Sequence, residues 1–379
     1  MRIVVSGVIG QYPVAGVTLC YLQYVLGFRK LGHDVYYIED NGTCPYNPMT
    51  QNVDVDYSYS LPYFQRVMQD FDLSNRWSYM RYDYEYFGMS KRAVYETLRT
   101  ADLYVNLSGA TVLREEHMAC PVRAFVDTDP AFLQFQIANG EQETIDFLAA
   151  HTLHFNYAEN IGKPKCTIPT DHFNWQTARQ PVYLDIWTPH ENGTGTRFTT
   201  VTNWSAYAPI VFRNERYGQK DVEFRRFITL PERTSQEIEL AIAIEGRPKE
   251  LLVKHGWRVV DPRPRTKDIP TFQAYIAQSR AEFSLAKNAY RKTWSGWISE
   301  RDINYLAAGR PVLTQDTGFS DFIPTGRGLV AFQTMEEILA GIEEINGNYA
   351  DHCKAARRMA EDYFDSSRVL QDLLRKCGA

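Results

Sequence analysis

The residues best suited to chemistry in this 379-residue chain cluster in the stretch Ser295-Gly296-Trp297-Ile298-Ser299-Glu300-Arg301-Asp302-Ile303-Asn304. A glycine-containing loop here feeds a helix, which Gly309 ends before Pro311 opens the next strand. The first turn of a helix leaves backbone N–H groups unpaired and carries the positive end of the dipole, so it favours an anionic group. Ser295 and Ser299 can add hydroxyl donors to a diphosphate, while Glu300 is equally an ordinary helix-start carboxylate. Two further carboxylates, Asp127 and Asp129, follow an apolar run and precede Pro130. Held at a strand terminus, they can supply a general base, coordinate a cation, or cap a helix starting at Pro130. Glu159 ends a neighbouring strand-like run and is a further candidate.

The elements that must position these groups are those of an α/β chain. Residues 2–6 form a short apolar run that ends in Gly7-Val8-Ile9-Gly10, and Val17–Lys30 carries apolar residues at helical spacing. Asp34–Ile38 then completes a strand–loop–helix–strand unit, the opening of a doubly wound parallel sheet. Strand-like runs recur at Leu103–Leu107, Val122–Val126 and Thr152–Tyr157, each ending in polar or small residues where such sheets bind ligands. Residues 41–100 are rich in Tyr and Asp, with short helices expected around 61–71 and 90–99 and irregular chain elsewhere. Residues 163–195, with three prolines before the polar stretch Pro189–Thr196 and with Gly193 and Gly195 inside it, read as the interdomain connection. A second set follows. It has strands Arg197–Val201, Leu251–Val253, Trp257–Val260, Ala281–Leu285 and Pro311–Thr314, and helices around 220–229, 235–243, 269–278, 300–308, 334–345 and 350–376. The expected architecture is two Rossmann-like doubly wound domains facing a cleft, residues 1–190 on the acceptor side and 191–349 on the nucleotide side. The 350–376 helix is able to cross back to the first domain.

Composition narrows the function classes. A formal charge of −5 gives no broad electrostatic case for nucleic acid or an anionic membrane. No run approaches the roughly 18 apolar residues of a membrane span, and the N-terminus reads as a buried strand and not as a leader. The six cysteines have no Cys-x-x-Cys spacing, which fits reduced thiols in the cytoplasm. No His-Glu-x-x-His array, Walker loop or Gly-x-Ser-x-Gly elbow occurs, and the first loop lacks the dinucleotide glycine spacing. No metal site and no cofactor are therefore expected.

The order of strand 281–285, the Gly296-Trp297-Ile298-Ser299 loop, the helix and Leu306-Ala307-Ala308-Gly309-Arg310-Pro311-Val312 resembles the donor half of GT-B glycosyltransferases. Phe125–Pro130, Tyr157–Gly162, Ala286-Lys287-Asn288 and Thr314–Gly318 extend the resemblance over the chain. Together they are similar to a bacterial GT-B group akin to the group 1 glycosyl transferases. The resemblance implies that the helix start holds the diphosphate of a UDP-, GDP- or dTDP-linked sugar, with Trp297 and Arg301 on the donor side. Large retaining families place two glutamates eight positions apart here, but the matching positions are Gly296 and Asn304. That leaves Glu300 or Asn304 for the ribose hydroxyls, and stereochemical retention does not carry over.

In this superfamily cations and helix dipoles replace a metal. Lys220 and Lys287 are the cations expected at the diphosphate, unless they are ordinary surface lysines. Trp257 lies in a segment that resembles the one reading the base, and is otherwise a core residue. Asp316, Thr317 and Gly318 are placed to hold the sugar. Gly7, Gly10 and Gln11 match the loop that approaches the transferred sugar and acceptor, with Glu159 and Asn160 beside it. The expected activity is hexosyl transfer from a nucleotide sugar to a small-molecule, glycan or lipid-linked acceptor. A sugar-nucleotide epimerase and a catalytically silent nucleotide-sugar-binding protein are the alternatives.

Overall fold

The computed structural model describes residues 1–189 and 195–378. Residues 190–194 and 379 lie outside it, and with them the end of the connection expected over 163–195 and the boundary at 190/191. Earlier in that stretch, Trp175–Thr177 is a strand of the first sheet and not a linker. Strands buried on both faces read as near-continuous apolar runs, as in Leu103–Leu107, and this is the signature of a parallel sheet covered by helices. Two such sheets form. The first runs in the order Trp175–Thr177, Leu153–Asn156, Val122–Asp127, Leu103–Leu107, Arg2–Ser6, Asp34–Glu39, Trp77–Met80, Tyr86–Gly88. All its neighbours pair in parallel except the last two, which form an antiparallel edge. The second runs Arg258–Val260, Ile238–Ala241, Phe198–Val201, Ala281–Ser284, Val312–Gln315, Leu329–Phe332 and is parallel throughout. No helix of the described residues is long and apolar enough to cross a membrane.

Four local expectations are corrected. Residues 238–241 form a strand and Gly246–Lys254 a helix, the reverse of what was expected for 235–243 and 251–253. Ile238-Glu239-Leu240-Ala241 is buried along its whole length, and so short a buried run carries no periodicity to separate strand from helix. Pro248 is tolerated in the first turn of the helix that follows. The Tyr-rich segment supplies the edge pair Trp77–Met80 and Tyr86–Gly88 where irregular chain was expected. The helix near Pro130 begins at Phe132, after Ala131 at φ 79°. The long terminal helix is three pieces: Tyr349–Met359, a π-helical turn over Ala360–Phe364, and Ser366–Lys376. Asp365 makes the break, its Oδ1 accepting from Ser367 N at 2.7 Å as a new cap.

The Ser366–Lys376 helix lies on the Ala15–Lys30 helix of the first domain, and Gly27 allows it to come that close. A Cβ at Gly27 would sit 2.5 Å from Leu370 Cδ1. The apolar core is continuous across the domain boundary, joining Leu22 and Tyr157 to Phe272, Trp297 and Leu306.

Candidate active site

In a doubly wound sheet, the strand that has neighbours running off in both directions opens a crevice at its carboxyl end. Arg2–Ser6 is that strand in the first sheet and Phe198–Val201 in the second. The two crevices face each other across a cavity of about 690 Å³.

The second-domain wall gathers Lys220, Lys287, Trp297, Ser299, Glu300, Arg301 and Asn304. Ser299 caps the Glu300–Ala307 helix, its Oγ accepting from Arg301 N at 3.2 Å. Lys220 donates from Nζ to Thr202 Oγ1 at 3.1 Å. Burial, and then the neighbouring Arg301 guanidinium, bring its pKa down to about 7. Burial likewise pushes Glu300 up to about 7 despite its own backbone N–H, and Asp129 adds to the rise. Arg301 lines the cavity with its charge already committed. It pairs with the fully buried Glu282 and donates to Val201 O at 2.7 Å and Ser284 Oγ at 2.8 Å. Asn304 Oδ1 accepts from Gln23 Nε2 of the first domain at 3.4 Å.

Lys287 does not stand free in the cavity. Its Nζ meets Asp129 Oδ2 at 2.5 Å and Tyr207 Oη at 2.6 Å, and it lies over the Tyr207 ring at 4.4 Å. Both Tyr207 and Tyr290 donate their hydroxyls to the Asp129 carboxylate. One carboxylate from the first domain is thus held by one ammonium and two phenols from the second. Tyr207 and Tyr290 were not singled out in the sequence. Tyr290 had a signal, sitting one helical turn after Lys287. Tyr207 lies in irregular chain and had none.

Asp127 is placed differently from Asp129. It is 3 % exposed and outside the cavity lining. Its Oδ2 accepts from Gln134 Nε2 and Asn156 Nδ2, both at 2.8 Å, and its Oδ1 from Asp129 N at 3.0 Å. Burial raises its pKa to about 6 against the Gln134 hydrogen bond. Asp127 therefore fixes the turn that presents Asp129.

Other expected residues hold the walls without lining them. Thr317 O accepts from Gly296 N at 2.9 Å, Thr317 Oγ1 donates to Trp297 O at 2.5 Å, and Asp316 Oδ1 accepts from Gly318 N at 2.8 Å. Asn160 joins this loop from the first domain, donating from N to Ser295 O and from Nδ2 to Gly318 O, each at 2.9 Å. Ser295 is fully buried, and its Oγ accepts from Trp297 N at 3.2 Å. Trp257 is a core residue whose indole donates to Ile228 O at 2.8 Å.

On the first domain, Gly10 and Gln11 donate their N–H groups to the buried Glu39 carboxylate at 2.9 and 2.6 Å, while Gly7 packs against the Tyr21 ring. This fixes the loop so that the residues just beyond it, from Tyr12 into the first helix, face the cavity. Glu159 points elsewhere, pairing with Arg179 at 2.6 Å beside a smaller cavity under the C-terminal helix.

Among the described residues, Asp40, Glu116 and His117 are the one trio of metal-ligand types with donor atoms drawn together. Arg114 occupies that trio, pairing with Asp40 and Glu116 at 2.6 and 2.8 Å and donating from N to His117 Nδ1 at 3.0 Å. His117 Nε2 is in turn 3.1 Å from Asp40. These residues do not fit a metal.

No family model and no curated protein matches the sequence. The fold does match solved structures over essentially the whole chain. An alpha-glucosyltransferase (AGT) in complex with UDP superposes with a TM-score of 0.61 at 10% identity, covering 100% of both chains. An alpha-glucosyltransferase in complex with UDP and a 13-mer DNA gives 0.59 at 10%, covering 100% of this chain and 99% of that one. Sucrose-phosphate synthase from Thermosynechococcus elongatus gives 0.56 at 10%, covering 99% and 98%. The two facing Rossmann-like domains of this chain are the GT-B fold of glycosyltransferases.

Proposed function

We propose that this protein is a glycosyltransferase that moves a sugar from a UDP-, GDP- or dTDP-linked donor to an acceptor hydroxyl without a metal ion. The observation that carries the reading is the opposition across the cavity. Lys220, Lys287 and the capped start of the Glu300–Ala307 helix stand on one domain, and Asp129 stands on the other. Two ammonium groups and a helix N-terminus form an anion-binding wall, and preorganised charges of this kind stabilise a departing diphosphate. The UDP held by a neighbour of the same fold supports the donor class.

In the transfer, the acceptor oxygen bonds to the anomeric carbon as the bond from that carbon to the diphosphate oxygen breaks. The diphosphate draws Lys287 away from Asp129, and the released carboxylate takes the acceptor proton. In this reading Ser299 adds a hydroxyl donor to the diphosphate, and Glu300 or Asn304 takes the ribose hydroxyls. No observation favours the epimerase or the silent protein.

The test is a thermal-shift screen against UDP, GDP, dTDP, ADP and CMP, with and without EDTA. A ligand at 100 times its Kd stabilises by about 2.7 kcal/mol, so an EDTA-insensitive rise with one nucleotide family is expected. Absence of a shift with every nucleotide, or a shift abolished by EDTA, contradicts the proposal. Asp129→Asn is expected to bind the nucleotide at least as tightly as the native protein, because Lys287 is freed. Transfer should fall by about 10²–10⁴-fold, the usual contribution of a general base.

A further inference from the structure

The acceptor half of the cavity has a chemistry of its own. Five tyrosines of the first domain line it: Tyr12, Tyr21, Tyr24, Tyr46 and Tyr157. Among the described residues, no lysine or arginine of the first domain reaches the lining, and Asp129 is the one carboxylate there. Four hydroxyls of this wall are paired within it: those of Tyr24 and Tyr157 lie 2.7 Å apart, and Ser108 Oγ and Thr128 Oγ1 are also 2.7 Å apart.

A phosphorylated acceptor, whether a sugar phosphate, a lipid phosphate or a nucleic acid, needs cations to offset its charge. The cations that line the cavity are on the second domain and already engaged: Lys220 and Lys287 face the proposed donor diphosphate, Arg263 is paired with Asp261 and Arg301 with Glu282. A phosphate beside Asp129 would find no cation of its own among the described residues. A carbohydrate needs many directed hydrogen bonds, and with those four hydroxyls paired the wall is left chiefly with the phenols of Tyr12, Tyr21 and Tyr46 and the Gln51 amide to supply them. Aromatic rings, in contrast, stack or meet edge to face with flat ring faces.

Resting on the glycosyltransferase reading above, we infer that the acceptor is an uncharged hydroxylated aromatic ring, a phenol or a ring-bearing aglycone. It would be seated against the Tyr12–Tyr46 mouth with its hydroxyl directed to Asp129. Tyr12 and Tyr46 form a ring pair with centroids 6.0 Å apart, and both retain exposure to receive a ligand.

The experiment offers four acceptors to the protein with the donor sugar of whichever nucleotide binds: 4-methylumbelliferone, methyl glucoside, glucose 6-phosphate and a single-stranded oligonucleotide. Products are read by mass spectrometry. The phenol alone should be glycosylated, with a KM that stays flat between low and high salt because no charge pair forms. Tyr12→Ala and Tyr46→Ala should each raise that KM by about tenfold and leave the nucleotide Kd unchanged. Glycosylation of the sugar phosphate, the oligonucleotide or the plain glycoside in preference to the phenol overturns the inference. So does an untouched phenol in a protein that binds its nucleotide.

Binding of 4-methylumbelliferone alone, followed by quenching of intrinsic fluorescence, separates the two proposals. If no nucleotide binds, the transferase reading falls. The aromatic site then stands only if the phenol still binds and the Tyr46→Ala variant loses it, and it falls otherwise.

Discussion

Lys220 is an ammonium in a place that disfavours ammonium. Its pKa near 7 means that around pH 8 most of the free protein holds it neutral. In the proposed function a diphosphate bound beside it would restore the charge, so nucleotide binding should take up a proton at pH 8 and very little at pH 6, where the lysine is already charged. Calorimetry in buffers of different ionisation enthalpy reads this uptake directly, and Lys220→Met should remove most of it. The stability of the free protein follows the same sign. Charging Lys220 is penalised in full below the folded pKa of about 7, and the penalty fades as pH rises toward the ordinary lysine value. Glu300, raised to about 7, runs the other way: protonated below that pH, it carries an unfavourable charge above it. Nucleotide binding should therefore be tightest at slightly acid pH and weaken through neutrality.

At the scale of elements, the loop before the Glu300–Ala307 helix is tightly constrained. Gly296 sits at φ 78°, and a Cβ there would lie 2.9 Å from Phe322 Cε1 and 3.0 Å from the Asn160 backbone nitrogen. Gly296→Ala should cost at least about 1–2 kcal/mol for the left-handed conformation alone, measured as a fall in the denaturant midpoint. This loop and helix were legible in the sequence because glycine, serine cap and helix terminator are local signals. The strand ends that deliver Asp129 and Lys287 were legible for the same reason, since apolar runs stopping at polar residues mark where a parallel sheet faces its ligand. The assignment of 238–254 failed because burial on all sides erases periodicity. The fate of Lys287 was beyond reach for a different reason. Its partners Asp129 and Tyr207 are 158 and 80 residues away, and nothing local records that they meet. Likewise, no local signal shows that Asp127 turns inward while Asp129, two residues on, turns to the cavity.

At the scale of the whole molecule, the domains are fastened at several points besides the site. Asn160 donates to Gly318 O, Gln180 donates to Ile298 O, and Phe135 packs on Tyr217 with centroids 4.2 Å apart. The Ser366–Lys376 helix adds a buried attachment through Leu370, so Leu370→Ala should destabilise the protein by about 2–5 kcal/mol in urea unfolding. A loss below 1 kcal/mol would mean that the helix contributes little to holding the domains together.

The chain passes between the two halves twice, once after residue 182 and once at the π-turn before Ser366. The passages touch: Val182 N donates to Phe364 O at 2.7 Å, and Ser366 N donates to Val182 O at 2.9 Å. The two passages are thereby tied into one crossing, so that a change of backbone at either one is passed to the other.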